Sequence, residues 1–175
     1  MASEIENIHK EMWGLYHTSR IVRSAHFIAA QGNQKMYKIL GTGVIILNIM
    51  IFSPLFDLIA PGHSATIIKF LAILAASFAG LQTLFGFQKD AESHLSAGDA
   101  YGSINRRIKV LLAEHKDHVK DASLIHYELK RLTEEYLQVN KENKGNIPTE
   151  REFEKAKKAI KLLDQRRKQE SATEI

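Results

Sequence analysis

The chain has 175 residues, with 24 Lys and Arg against 20 Asp and Glu, a net charge of +4 and 45% hydrophobic residues. It contains no cysteine, which excludes a disulfide framework, a thiolate nucleophile and a Cys-based metal site. The mean hydropathy of −0.20 averages a strongly apolar middle with two polar arms and so conceals the middle.

The N-terminal arm, Met1–Lys38, is polar and charged, without the basic-then-apolar start of a cleavable signal peptide. Ser3-Glu4-Ile5-Glu6 has a capping-box pattern. Ile5, Ile8, Met12, Leu15, Ser19, Val22, His26 and Ala29 then recur at alternating three- and four-residue spacing. This predicts an amphipathic helix ending near Gln31-Gly32-Asn33. Trp13 and Tyr16 lie far upstream of the apolar region and read as packing residues.

Two apolar runs follow, Ile39–Ala60 and Ile67–Phe87, with one charge each, Asp57 and Lys69. Each is long enough to cross the roughly 30 Å hydrocarbon core of a bilayer as a helix. The connector Pro61-Gly62-His63-Ser64-Ala65-Thr66 allows only a tight turn, so the pair predicts a transmembrane hairpin. Arg20, Arg23, Lys35 and Lys38 precede it, Lys89, Arg106 and Arg107 follow it, and the connector has no Lys or Arg. That asymmetry places both termini in the cytoplasm. Pro54 should kink the first span. Asn48 shares a face with Gly41 and asks for a partner helix or water. The second span carries a small-residue stripe, Ala72, Ala76, Ala79, Thr83 and Gly86, with Gln82 beside it, which invites close approach of another helix. Asn48, Gln82 and Thr83 could line a pore or hold helices together.

Beyond the spans, Tyr101, Ile104, Ile108, Leu111, His115, His118, Ala122, Ile125, Leu129, Leu132 and Tyr136 form a heptad seam. It predicts one long helix, weakened in its centre by two histidines and an alanine. His115 and His118 could share a metal, or could be a polar interruption that sets register. Lys141–Pro148 breaks the helix and Thr149-Glu150-Arg151-Glu152 caps a last one, with Phe153, Ala156, Ile160 and Leu163 on one face. No strand pattern occurs, so the expected class is all-α: a cytoplasmic amphipathic helix over 1–38, a transmembrane hairpin over 39–87 with spans 39–60 and 67–87, and a cytoplasmic helical bundle region over 88–175, assembled as an oligomeric membrane protein.

Nothing resembles an enzyme site: there is no HExxH, P-loop or GxGxxG, and Gly98 and Gly102 around Asp99 have no preceding strand. No resident cofactor is implied. Basic clusters are the candidates for a phosphate-bearing ligand: Arg20 and Arg23; Arg106, Arg107 and Lys109; Lys155 and Lys158 with Lys157, Lys161 and Arg166-Arg167-Lys168. Against this, residues 88–175 hold 18 basic and 16 acidic residues, so most positive charge has acidic neighbours.

The order of parts, with Trp13-Gly14-Leu15-Tyr16, Ser19-Arg20, His94-Leu95-Ser96-Ala97-Gly98-Asp99-Ala100-Tyr101 and Ile104-Asn105-Arg106-Arg107-Ile108, resembles the bacterial SLATT domains. These are two-transmembrane effectors linked to nucleotide-signalling defence systems. The resemblance covers nearly the whole chain through short, degenerate motifs. It implies a pore-forming effector of anti-phage immunity in the inner membrane, gated by a nucleotide or oligonucleotide from a separately encoded nucleotidyltransferase and causing depolarisation and growth arrest or death. It transfers no ligand-binding residue. The alternatives are a membrane-anchored helical scaffold and a holin-like pore without a ligand.

Overall fold

A computed structural model describes residues 2–54, 58, 62–116 and 121–173. Its helices are α1 (Ala2–Ile51), α2 (Ser64–Phe85), α3 (Phe87–Lys116), α4 (Ala122–Glu142) and α5 (Glu150–Thr173), and no strand occurs among the described residues. The chain is all-α. Among the described residues, one helical stretch, opening at Ser64, is long and apolar enough to cross a membrane. Its apolar part is α2.

Four sequence expectations are corrected. First, the arm does not end at Gln31–Asn33: α1 begins at Ala2, ahead of Ser3, and runs unbroken to Ile51. A lone Gly32 costs a helix only about 1 kcal/mol and cannot stop one that packing holds on both sides. Second, Pro54 kinks nothing, because α1 has already ended. The residue before a proline resists the helical conformation, and the ladder tightens there, from Phe52 N–H on the Asn48 carbonyl (3.1 Å) to Ser53 N–H on that of Met50 (3.1 Å). Third, α2 opens three residues early, at Ser64, and closes at Phe85, where Gly86 takes a left-handed conformation (φ 56°). Only glycine adopts this at little cost. Fourth, the heptad seam is not one helix. It is cut between Lys116 and Ala122 into α3 and α4. His118, Asp57 and the rest of the first run at 55–57 and 59–60 lie outside the described residues.

The structure divides into two compact units, residues 1–30 with 93–175 and residues 31–92. The first is a helical bundle built from α1, α3, α4 and α5. Its core gathers Ile8 and Met12 of α1, Ala97, Tyr101, Ile104, Ile108 and Leu111 of α3, and Ile125, Leu129, Leu132 and Val139 of α4. The two halves of the seam thus bury each other within one chain. Tyr101 donates its hydroxyl to Asn140 Oδ1 (2.6 Å), and Arg107 reaches Glu135 (2.6 Å). Gly98 and Gly102 mark close approach of α1: a Cβ at Gly98 would lie 3.0 Å from the Phe27 ring, and one at Gly102 would lie 3.1 Å from Arg23 Nε. The break expected from Lys141 to Pro148 opens two residues later, because α4 runs on to Glu142, and spans Asn143–Thr149. The Thr149 N–H donates to Glu152 Oε2 (2.6 Å), which is the reciprocal half of a capping box.

The second unit pairs the end of α1 with α2. Gly41 faces Gln82 and Gly43 faces Phe78, so the helices run antiparallel. A Cβ at Gly43 would sit 2.8 Å from two Phe78 ring carbons; glycine is required for this approach. Leu40, Leu47 and Ala75 are the buried apolar residues of its helices over 39–51 and 64–85. Ile45, Ile46, Ile49, Phe52, Phe70, Ile73 and Leu84 are all more than half exposed.

Candidate functional site

The bundle carries a polar layer inside its apolar core. Asn105 of α3 donates to the Tyr16 carbonyl (2.9 Å) and to Ser19 Oγ (3.0 Å), and the Ser19 hydroxyl itself donates to the Tyr16 carbonyl (3.1 Å). Beyond it, His26 of α1 and His94 of α3, both buried, meet Nδ1 to Nδ1 at 3.0 Å. Tyr101 lies against His26, ring centroids 5.4 Å apart. Burial, and then the neighbouring His94, pull His26 down to about pKa 4 against an opposing pull from Glu152, so the ring is neutral near pH 7. Burial also raises Tyr101 to about 12 and raises Tyr136. The polar side chains of this layer are hydrogen-bonded to one another or to the backbone. Its chemistry is that of a fastening.

Charge gathers elsewhere, where α5 packs on α1. Arg20, 16% exposed, holds Asp164 with two parallel bonds: Nη1 to Oδ2 at 3.0 Å and Nη2 to Oδ1 at 2.7 Å. The hydrogen bond from Arg20 is the main reason that the Asp164 carboxyl lies below its ordinary value, and Arg167 and His17 add to the effect. Beside this pair is a groove of about 410 Å³ lined by His17, Ile21, Lys157, Ile160, Lys161, Asp164, Gln165 and Lys168. Ile160 is buried and Ile21 half-buried, giving an apolar floor under a cationic rim.

The candidates from sequence therefore scatter. Arg20 is consumed by Asp164. Arg23 lies over the Phe27 ring (5.4 Å) and against Gly102. Arg107 is paired with Glu135, and with Arg106 it lines a smaller cleft of about 280 Å³ that also holds Glu114 and Glu128. Lys109, Lys155 and Lys158 are exposed and line none of these clefts. The groove instead takes their neighbours Lys157, Lys161 and Lys168. The signal was available: Ala156 and Ile160 fix the buried face of α5, and positions 157, 161, 164 and 168 follow at helical spacing beside it. His26 was visible as a polar member of the arm's apolar stripe, whereas its partnership with His94 spans 68 positions and has no local signature. His115 stacks on His9 at 5.6 Å. No cluster of three or more metal-ligating side chains occurs among the described residues.

In the second unit the polar residues turn onto their own helices. Asn48 donates to the Val44 carbonyl (2.9 Å), Ser77 to that of Ile73 (2.8 Å) and Thr83 to that of Ala79 (3.0 Å). Gln82 is half-buried against Gly41, while Ala72, Ala76, Ala79 and Thr83 are exposed and Gly86 half-exposed. The face that pairs α2 with α1 runs through Ala75, Phe78 and Gln82, and the small-residue stripe lies outside it. Searches of known families, curated proteins and solved structures find no match to this chain.

Proposed function

We propose that this protein is a membrane-embedded subunit of an oligomeric pore, an effector whose cytoplasmic bundle responds to a phosphate-bearing signal. In this reading the end of α1 and all of α2 cross the inner membrane as a hairpin, with both termini cytoplasmic. The observation that carries it is the inverted surface of residues 39–51 and 64–85: isoleucine, leucine and phenylalanine face outward, and Asn48, Ser77 and Thr83 bond to their own backbone. Water would penalise that surface at roughly 25 cal/mol per Å², and hydrocarbon would not. The outward stripe Ala72–Ala76–Ala79 supports assembly, because it offers a further copy a close approach that the chain's own hairpin leaves unused. The resemblance to SLATT effectors supplies the biological setting: a nucleotide or oligonucleotide from a partner nucleotidyltransferase, and depolarisation of phage-infected cells.

One observation favours a second reading, a membrane-tethered scaffold. The heptad seam that could have held copies in register is buried within a single chain. Two measurements separate the readings. Because the chain has no cysteine, a cysteine placed at Ala76 reports contact between copies directly, and the pore reading expects a disulfide-linked dimer in native membranes. Ion flux from liposomes holding the purified protein, and membrane potential during phage challenge, then test conduction. A protein that conducts under no ligand condition and never cross-links is a tether.

A further inference from the structure

We infer that the groove between α1 and α5 is a binding site for a soluble ligand carrying at least two phosphate groups and an aromatic ring. This deepens the reading of the bundle as a receiver and rests on it only for the biological role. The inference begins with charge. Among the described residues neither Lys161 nor Lys168 has an ion-pair partner, whereas Lys157 is shared with Glu154 (2.8 Å). The single carboxylate of the lining, Asp164, is held by the two-pronged Arg20 contact, which turns it away from the role of competing anion. Positive charge is thus left on the rim while the acid that would cancel it is engaged behind.

Spacing narrows the ligand. Lys161 and Lys168 are seven residues apart on one helix, about 10 Å along its axis. With both side chains extended outward the two ammonium groups span a chain of phosphates or two linked nucleotides, whereas a single phosphate draws both inward and leaves most of the rim unused. The floor, Ile160 with Ile21, is apolar and lies under the same rim, so a flat ring can shed water there while its phosphates stay at the lysines. Inorganic phosphate would use only half of the site.

Calorimetry on the full-length protein in lipid-free detergent tests this with ATP, AMP and inorganic triphosphate as probes. ATP should bind at least tenfold more tightly than either of the other two. Lys161→Glu with Lys168→Glu, both at exposed positions, should weaken ATP by tenfold or more, and Lys155→Glu with Lys158→Glu should change it less than threefold. Asp164→Asn, which removes the acid and releases Arg20, should tighten ATP several-fold. Equal loss in both lysine pairs would reduce the site to a diffuse positive field, and equal affinity for ATP and triphosphate would remove the ring from the proposal; either overturns it. So would displacement of ATP by stoichiometric phosphatidylglycerol, which would make the groove a headgroup site. Binding is measured without conduction, so a protein that binds ATP but passes no ions refutes the pore and leaves the groove standing.

Discussion

The two units of this chain solve opposite problems with the same element. In the bundle, isoleucines point inward: Ile104 and Ile108 are 0% exposed, and the surface is ionic. In the hairpin, isoleucines point outward: Ile45 and Ile49 are 61% and 65% exposed, and the contact between helices runs through Gly41, Gly43, Ala75, Phe78 and Gln82. Apolar burial by its own chain organises the first, and close backbone approach the second. The proposed membrane reading accounts for the difference by giving each surface its own solvent.

The same substitution should therefore have opposite consequences in the two places. Ile108→Ala should cost the detergent-solubilised protein about 2–5 kcal/mol in denaturant unfolding, the usual range for a fully buried isoleucine. Ile49→Ala should stay within about 0.5 kcal/mol. A cost at Ile49 equal to that at Ile108 would mean that the outward face packs against protein and not lipid or detergent. Gly43→Leu should wedge α2 off α1, because even its Cβ meets Phe78, while the bundle's unfolding midpoint is unchanged. Loss of proximity between cysteines placed at Gly41 and Gln82 would report it.

The apolar runs and the all-α class were legible because composition and helical period are local properties. The fate of the seam was not. Ile104 to Leu132 satisfies a heptad whether the helix continues to a second copy or folds back on itself, and the local pattern is the same in both cases. Lys157, Lys161 and Lys168 were likewise indistinguishable from Lys155 and Lys158 until Ala156 and Ile160 were seen to be the buried positions.

A smaller effect probes the polar layer. Asn105→Ala should cost roughly 1–3 kcal/mol, since it strips Ser19 and the Tyr16 carbonyl of a buried partner. His26 gives the bundle a pH dependence. Its folded pKa, about 4, lies below the ordinary 6.5. The unfolded chain therefore binds the proton first, and stability is complete above pH 6.5 and declines as pH falls towards 4. His26→Gln should flatten that decline in thermal melts between pH 7.5 and 4.5. Smallest of all, Arg107→Ala should cost at most about 1 kcal/mol, shrinking with added salt, because both members of its pair with Glu135 are more than a third exposed.

The contact between His26 and His94 through their Nδ1 atoms also fixes a tautomeric order. For two neutral rings, one must carry its proton on Nδ1 and the other on Nε2. A first added proton can enter only at Nε2 of the donor ring, which leaves the hydrogen bond intact and strengthens it. A second has nowhere to go except the accepting Nδ1, so it must break the bond and leave two imidazolium ions with ring centroids 5.1 Å apart. Nitrogen-15 spectra should accordingly show two unlike imidazoles, one protonated on Nδ1 and the other on Nε2.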